Sequence, residues 1–301
     1  MLAAREKPSL IVSTHLNYGP VARALRRLTR VPYWLIAHGI DAWKVVGKSR
    51  CDGIRAADRV LCVSEFTRQK LLAQGLITEA NSLVFPNTFD QERFSPGPKP
   101  ANLLERYGFA PDNPVILTVG RLSATERYKG FDELIEAMPE IRSAIPSARL
   151  VVVGDGNARR GLEQKARDLG LEKSVTFTGA VGDAELVDHY RLSDLFAMPS
   201  RKEGFGIVFL EALAVGKPVI AGNVDASPEA VLNGELGALV DPADPRQIAA
   251  AAIAILRREH ENQQLYDPAC LRDRAVAAFG FEAFKQRLDL LLRQQLASVS
   301  A

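Results

Sequence analysis

Short apolar runs alternate with longer amphipathic stretches along the whole sequence, and this rhythm predicts strands and helices in turn. The runs are rich in β-branched residues and come in two groups, one before residue 90 and one after residue 97. The predicted strands are Ser9–Ser13, Tyr33–Ala37, Arg59–Val63, Ser82–Phe85, Val115–Val119, Arg149–Val153, Ser174–Thr178, Asp194–Met198, Pro218–Ala221 and Ala238–Val240. Strands that alternate with helices form parallel sheets, so the expected fold class is α/β.

A cluster of prolines separates the two groups of strands. Four prolines and Gly97 lie within residues 86–100, a composition typical of a connection between domains. The pattern predicts one domain at residues 1–96 and a second at 97–280. The last segment, 281–298, has apolar residues at helical spacing and no strand after it, so we expect a helix that can pack back on the first domain.

The composition is that of a globular protein without a strong global charge. Hydrophobic residues make up 47% of the 301 positions, enough for two cores. Lys and Arg total 38 against 36 Asp and Glu, so no nucleic-acid partner is expected. The three cysteines include no C-x-x-C pair, which suits the reducing cytoplasm and argues against a zinc cage. No apolar run is long enough to span a bilayer, so any membrane contact should be peripheral.

The stretch richest in candidate chemistry follows the predicted strand Asp194–Met198. The carboxyl ends of parallel strands are where α/β proteins bind ligands. Gly204 and Gly206 let the backbone approach a phosphate, and the N-terminus of the predicted helix that starts near Gly206 favours an anion. Glu203 would lie beside the reacting group, and Glu211, one turn into the helix, can accept hydrogen bonds from ribose hydroxyls. A capped helix with a solvated Glu203 is the structural alternative.

A second cluster of candidate residues follows the strand Val115–Val119. Gly120-Arg121 comes directly after the strand, and Lys129-Gly130 lies at the start of the next predicted helix. Arg offers a planar fork and Lys a mobile charge, so the pair can neutralise a diphosphate leaving group in place of a divalent cation. No D-x-D motif occurs and the histidines lack metal-ligand spacing, so we expect neither a metal nor another cofactor. Taken alone, these two cations would more often be ordinary surface charges.

Two residues in the first half also follow predicted strands. His38 comes directly after Tyr33–Ala37, where it can hydrogen-bond a transferred sugar or support a developing oxocarbenium ion. A histidine at such a position more commonly has a structural role. Ser64, after Arg59–Val63, is predicted to cap the following helix.

The run Val153-Gly154-Asp155-Gly156 resembles part of a dinucleotide-binding fingerprint. It lacks the third glycine at the required offset and the acidic residue that should follow on a second strand, which disfavours an NAD-dependent oxidoreductase. We expect a strand-to-helix turn that either borders a nucleotide or is purely structural.

The predicted helix Val21–Arg30 is basic and amphipathic. Such a helix can rest on anionic lipid, which would suit a lipid-linked acceptor. A solvated helix face is the alternative, and the commoner one.

Together these motifs resemble the family 4 retaining glycosyltransferases, whose GT-B fold has two Rossmann-like domains facing a cleft. The resemblance spans nearly the whole chain. The landmarks, in the order of the family, are the His38-Gly39 turn, Pro86–Asp90 before Arg93, the pair Gly120-Arg121 and Lys129-Gly130, and Glu203–Glu211.

The resemblance implies a role for each candidate residue. The catalytic set would be His38, Glu203, Arg121 and Lys129. Arg121 and Lys129 would bind the donor diphosphate, Glu211 the ribose, and the loop at Val181 the base. The donor-binding set would be Gly120, Arg121, Lys129, Val181, Glu203, Gly204, Phe205, Gly206, Ile207 and Glu211.

The implied activity is metal-independent, retaining transfer of a sugar from a UDP- or GDP-sugar to a saccharide or lipid-linked acceptor. In this family the departing phosphate is usually drawn as taking the acceptor proton on the same face of the sugar. Polysaccharide or glycoconjugate biosynthesis in the cytoplasm, or at the inner face of the membrane, is the expected setting. The alternatives are a non-catalytic nucleotide-sugar-binding partner, a degenerate copy of a transferase, or a nucleotide-sugar epimerase of similar architecture.

The sequence departs from the family at its beginning. Family members normally start with a strand, a glycine-rich loop that touches the donor, a helix and a further βα unit, and the first predicted strand here follows those elements. The resemblance therefore implies an incomplete N-terminal domain with an exposed strand edge. A misplaced start is the favoured explanation, with a separate polypeptide or a degenerate copy as alternatives.

Overall fold

The computed structural model describes residues 8–300, with side chains through residue 297. Each strand lies within two residues of its predicted bounds, because the apolar runs are bounded by polar and turn residues that end them. The strands are β1 Ile11–Ser13, β2 Tyr33–Ala37, β3 Arg59–Cys62, β4 Ser82–Val84, β5 Val115–Val119, β6 Arg149–Val153, β7 Val175–Gly179, β8 Leu195–Met198, β9 Val219–Gly222 and β10 Gly237–Val240.

Helices connect successive strands, which confirms the predicted α/β class. Short 3₁₀ turns at Leu16–Tyr18, Ala124–Lys129, Leu232–Gly234 and Gln263–Tyr266 supplement them. The α-helices are α1 Gly19–Thr29, α2 Ile40–Trp43, α3 Lys48–Arg55, α4 Glu65–Ala73, α5 Ala101–Tyr107, α6 Phe131–Ala144, α7 Arg159–Asp168, α8 Asp183–Leu192, α9 Ile207–Ala214, α10 Ser227–Ala230, α11 Pro245–Leu256, α12 Pro268–Phe279 and α13 Phe281–Ser300.

The strands form two parallel sheets. The first has four strands in the order β1-β2-β3-β4, and the second has six in the order β10-β9-β8-β5-β6-β7. In the second sheet the chain runs outward from β5 to β7 and then returns to β8 on the other side of β5. The carboxyl ends of β5 and β8 therefore flank a topological switch point, where open α/β sheets form their ligand crevices.

The first unit comprises the chain as far as Thr88, the short segment Glu203–Phe205 and the residues from Glu282 onward. Its core follows the period-two alternation of β2, since Tyr33, Leu35 and Ala37 face one cluster and Trp34 faces another. Helix α13 completes the second cluster. The buried members of this cluster are Trp34, Leu61 and Phe85, and the α13 side chains that pack against them are Phe284, Leu288, Leu291 and Leu292.

The second unit comprises Phe89–Lys202 and Gly206–Phe281. The proline pattern places the domain boundary near residue 97, whereas the contacts of the second unit begin at Phe89. The guanidinium of Arg272 explains the difference, because it donates to the carbonyl oxygens of Gln91 at 2.9 Å and Phe94 at 2.7 Å. The Phe94 ring also packs edge-on against Tyr190. The proline-rich stretch is thus largely part of the second unit.

Candidate active site

The loops that follow β5 and β8 are fixed against each other in the second unit. The backbone N–H of Arg201 donates to the carbonyl oxygen of Tyr128 at 2.8 Å. Gly130 has φ +81°, and a Cβ there would lie 2.2 Å from the carbonyl oxygen of Pro199, so only glycine fits. The loop that carries the predicted cations is therefore held beside the carboxyl end of β8.

The two predicted cations have different surroundings. Lys129 lies over Gly120, with its Cδ 3.6 Å from the place a Cβ of Gly120 would occupy. It ends the 3₁₀ turn and precedes α6, which begins only at Phe131 rather than at Lys129. The Arg121 side chain is 72% exposed and forms an ion pair with Glu126. A bound anion would therefore compete with the Glu126 carboxylate for Arg121.

The glycine turn after β6 shapes the loop after β5. A Cβ on Gly154, where φ is +134°, would lie 1.9 Å from the carbonyl oxygen of Gly120, and one on Gly156 would lie 2.2 Å from that of Leu122. The Leu122 N–H donates to the carbonyl oxygen of Asp155 at 2.9 Å. Close backbone packing accounts for both glycines, which favours the structural interpretation of this run.

Helix α9 begins directly after Gly206, as predicted. Gly206 has φ +94° and occupies the N-cap position without a side-chain cap. The first N–H groups of the helix, from Ile207 onward, therefore lack the side-chain acceptor that caps most helices. Together with the helix dipole, these groups make the start of α9 suited to an anion.

Glu211 lies one turn into α9 and is held by a tyrosine. The hydroxyl of the fully buried Tyr190 donates to Glu211 Oε2 at 2.7 Å. Burial raises the pKa of Glu211 above its usual range, while the bond from Tyr190 and the charge of Arg93 act in the opposite direction. An ionised Glu211 still has acceptor capacity for ligand hydroxyls.

The segment Glu203–Phe205 groups with the first unit, where Gly204 meets the backbone at His38. A Cβ on Gly204 would lie 2.0 Å from the carbonyl oxygen of His38, and one on Gly39 would lie 2.5 Å from the Cα of Gly204. Ser64 Oγ donates to the carbonyl oxygen of Gly204 at 3.0 Å and also caps α4, as predicted. Through these contacts the backbone segments that carry Glu203 and His38, two of the predicted site residues, pack directly against each other.

His38 lies in a polar cluster at the carboxyl ends of β1 and β2. Its Nε2 lies 2.7 Å from the carbonyl oxygen of Thr14. Because a carbonyl only accepts, Nε2 carries the hydrogen, and Nδ1 is the acceptor nitrogen of the neutral ring. Asp41 Oδ1 accepts the His38 backbone N–H at 3.1 Å, and Asp41 Oδ2 lies 3.9 Å from Nδ1 of His15. The two imidazole centroids are 6.4 Å apart.

Val181, the predicted base-reading residue, lies beyond the carboxyl end of β7 and is half-buried. Strand β7 is parallel to the other strands of the second sheet. Val181 therefore lies at the carboxyl end of the sheet, as do Gly120 and Gly206. Within the part of the chain that the structure describes, no group of three His, Cys, Asp or Glu side chains is placed to hold a metal ion. No helix in that part has the length and apolar character that a membrane span needs.

Comparison with known proteins agrees with this geometry. Residues 101–269 match the family described as glycosyl transferases group 1, and residues 1–88 match a glycosyl transferase 4-like domain. The chain belongs to the group 1 glycosyl transferases. Its two parallel sheets correspond to the GT-B fold.

Among curated proteins, this group 1 glycosyl transferase is 39% identical over 220 residues to a GDP-mannose-dependent α-(1-6)-phosphatidylinositol monomannoside mannosyltransferase of Mycolicibacterium smegmatis, covering 66% of this chain and 56% of the relative. It is 35% identical over 224 residues to the D-inositol 3-phosphate glycosyltransferase of Geodermatophilus obscurus, covering 71% of this chain and 48% of the relative. The chain thus spans about half the length of these relatives. Sucrose-phosphate synthase of Thermosynechococcus elongatus superimposes with a TM-score of 0.82 at 26% identity, covering 99% of this chain and 76% of that one.

Four residues that contact or lie near the predicted site residues were not singled out by the sequence. His15 had a signal, because it follows β1 at the same sheet edge at which His38 follows β2. Asp41 and Glu126 each contact a predicted residue a few positions away, which a search for local hydrogen bonds could have found. Tyr190 had no signal, since the fold alone brings it to Glu211.

Proposed function

We propose that this group 1 glycosyl transferase moves a hexosyl group from a nucleoside diphosphate sugar to an acceptor hydroxyl, with retention of anomeric configuration and without a metal ion. The observation that carries the proposal is the junction of the loops after β5 and β8. The bond between Arg201 N–H and the Tyr128 carbonyl, 2.8 Å long, holds a cation-bearing loop at the switch point of a parallel sheet. Nucleotide phosphates bind at such points in other α/β folds.

Charge neutralisation at the diphosphate is the main catalytic task in this proposal. Lys129 and Arg121 balance the negative charge that grows on the leaving group, and the first N–H groups of α9 add their partial charge. Arg121 exchanges its partner, Glu126, for the diphosphate. Glu211 accepts the ribose hydroxyls, and the backbone at Val181 contacts the base.

The proposed reaction breaks the bond between the anomeric carbon and the phosphate oxygen. That electron pair stays on the nucleoside diphosphate. The acceptor oxygen bonds to the anomeric carbon on the face that the phosphate leaves, and its proton passes to the departing phosphate oxygen. His38, with its hydrogen on Nε2 directed to Thr14, supplies Nδ1 as an acceptor for a hydroxyl of the transferred sugar, and Glu203 contacts the same sugar.

The substrate class in the proposal comes from the relatives. The relative from Mycolicibacterium smegmatis is described as a GDP-mannose-dependent α-(1-6)-phosphatidylinositol monomannoside mannosyltransferase. The relative from Geodermatophilus obscurus is described as a D-inositol 3-phosphate glycosyltransferase. We therefore propose GDP-mannose as the first donor to test and an acceptor that contains phosphoinositol.

Release of free nucleoside diphosphate tests the proposal directly. We expect GDP release from GDP-mannose in the presence of a phosphoinositol acceptor and EDTA, and a product whose one-bond carbon–hydrogen coupling at the anomeric centre shows by NMR the same anomeric configuration as the donor. Lys129→Ala should lower kcat by about 10²- to 10³-fold, while Lys173→Ala, at an exposed position of the second unit, should not change it.

Two outcomes would contradict the proposal. Nucleotide binding without release from any GDP- or UDP-sugar would favour a non-catalytic nucleotide-sugar-binding partner. Activity that disappears with EDTA and returns with a divalent cation would contradict the role given to Lys129 and Arg121.

A further inference from the structure

A cavity of about 420 Å³ lies in the second unit at the amino end of its parallel sheet. Pro114, Asp194 and Pro218 line it, and they directly precede β5, β8 and β9 respectively. Residues at the end of α11 and in the turn before α12 supply most of the remaining wall. We call it the amino-end cavity. The candidate phosphate site lies at the carboxyl end of the same sheet, so the two are separate.

Contacts between distant segments fix the walls of the amino-end cavity. Gly216 has φ +77°, and a Cβ there would lie 2.6 Å from the Cβ of Pro268, so the exit of α9 packs directly on the start of α12. Asp194 Oδ2 accepts hydrogen bonds from the Val115 N–H at 2.8 Å and from Lys99 Nζ at 2.7 Å. These bonds hold the segments before β5 and β8 together. The cavity is therefore built into the fold.

Lys217 places a partly buried ammonium group at the amino-end cavity. Its Nζ donates to the carbonyl oxygen of Arg191 at 3.2 Å, and among the described residues no carboxylate lies within ion-pair distance of it. An ammonium carries three donors, so donor capacity remains for a ligand. Burial lowers the pKa of Lys217, while the charge of Asp194 acts in the opposite direction. Because buried charges in proteins are normally paired, an anion in the cavity would supply the partner that Lys217 lacks.

Arg258 adds a second cation to the wall of the amino-end cavity. It follows the end of α11 with φ +61°, and its guanidinium lies over the Tyr266 ring, 5.0 Å from the ring centroid. In the described part of the chain Arg258 also has no carboxylate within ion-pair distance. The acids of the wall are Asp194, which pairs with Lys99, and Asp112, which is exposed and so is screened by water. The wall thus keeps one cation in excess.

We propose that the amino-end cavity binds a small organic phosphate, a phosphate monoester with a body of about the size of a sugar. Two cations without a carboxylate partner match a group that carries nearly two negative charges at neutral pH. Arg258 offers a planar fork and Lys217 a point charge for the phosphate oxygens. Ile255 and Leu265 offer apolar contacts to the rest of the ligand. The inference does not depend on the proposed transferase activity.

Calorimetric titration of the whole chain with mannose 6-phosphate tests the proposal, and mannose serves as the uncharged probe. We expect mannose 6-phosphate to bind at least about tenfold more tightly than mannose, because charge-assisted hydrogen bonds to the phosphate provide the difference. Inorganic phosphate should compete with mannose 6-phosphate. Equal affinity for the two sugars, or no binding of either, would overturn the proposal.

Single variants locate the bound phosphate. Lys217→Met and Arg258→Asn should each weaken mannose 6-phosphate binding at least about tenfold. Arg257→Asn removes the same charge at an exposed neighbouring position that does not line the cavity, and should bind as the unaltered chain does. Lys129→Ala changes the candidate phosphate site and should also leave this binding unchanged. Binding that Lys129→Ala abolishes, and that the two cavity variants retain, would place the phosphate at the candidate active site and overturn the proposal.

Thermal unfolding of the same variants controls for stability. Lys217→Met keeps the length of the side chain and removes a charge that is costly to bury, so the melting temperature should be unchanged or higher. Arg258 is exposed, and Asn tolerates its φ of +61° better than most residues do. If Lys217→Met fails to fold, the comparison of Arg258→Asn with Arg257→Asn decides the matter. Equal mannose 6-phosphate affinity in those two variants would then overturn the proposal.

Discussion

In the second unit the loops near the candidate phosphate site are shaped by backbone packing, whereas in the first unit hydrogen bonds of side chains add to the backbone packing of Gly204 against His38. Gly154 and Gly130 each stand where a Cβ would overlap a carbonyl oxygen, of Gly120 and of Pro199 respectively. His38 is also held by hydrogen bonds to Thr14 and Asp41. Backbone packing leaves little room for change, so we expect substitution of Gly154 to be tolerated poorly and substitution of side chains in the His38 cluster to act gradually.

The largest expected effect is at Gly154. Gly154→Ala places a methyl group 1.9 Å from the Gly120 carbonyl oxygen at a φ of +134°. We expect a loss of about 3 kcal/mol or more in the free energy of unfolding and no measurable nucleotide binding. Urea denaturation and calorimetric titration with GDP measure the two quantities.

Gly161→Ala is the matched control for Gly154→Ala. Gly161 lies in α7, and a Cβ there would have no neighbour within 4 Å. This change should leave nucleotide binding intact and leave stability unchanged or higher by about 0.4–1 kcal/mol. If the two variants behaved alike, the packing of Gly154 would not be what shapes the loop after β5.

A smaller effect is expected in the His38 cluster. His38→Ala should lower kcat by about 10- to 100-fold while the dissociation constant for GDP stays the same, because in the proposed reaction the ring contacts the sugar rather than the nucleotide. Asp41→Asn keeps an oxygen for the His38 N–H and should lower kcat by only about two- to fivefold. Steady-state kinetics with GDP titrations checks both. An equal loss of GDP affinity in His38→Ala would remove the distinction between the two units.

A further effect, on nucleotide binding rather than on turnover, is expected at Glu211, where function and stability should change in opposite directions. Glu211→Gln should weaken GDP binding at neutral pH by about tenfold, because a charged acceptor of the ribose hydroxyls is replaced by a neutral one. It should also raise the melting temperature by about 1–3 °C. The reason is that burial raises the pKa of Glu211, so ionising the buried carboxyl at neutral pH costs folding free energy.

The pH dependence of stability and of GDP affinity tests both predictions for Glu211. Because the folded-state pKa is raised, the stability of the unaltered protein relative to Glu211→Gln should fall as pH rises from the ordinary carboxyl range through that raised pKa. GDP affinity of the unaltered protein should instead fall as pH drops through the same range, while Glu211→Gln stays flat. Affinity that is independent of pH in both proteins would contradict the role given to Glu211.

Much of the fold was predictable because it depends on local patterns. The parallel strands are short apolar runs bounded by polar residues, and their alternation with helices determines the α/β class. Gly206 was recognisable as the start of α9, and Ser64 as the cap of α4, because both signals lie within a few residues. The family landmarks could be found for the same reason.

The features that the sequence did not predict depend on contacts between distant segments. The turn at Gly154 shapes the loop at Gly120 because β6 lies beside β5, and Tyr190 reaches Glu211 from a different helix. Phe89 and the residues after it join the second unit because Arg272, far along the chain, donates to their carbonyl oxygens. None of these partners follows from spacing alone.

The return of α13 to the first unit affects the order in which the two units fold. Trp34 donates a hydrogen bond to Gln295, 261 positions later, and the cluster around Trp34 is covered by that same helix. At ordinary rates of synthesis the ribosome needs about 13–50 s to travel that distance. We therefore expect the second unit to begin folding while α13 is still being made, and the first unit to finish folding only after α13 has left the ribosome.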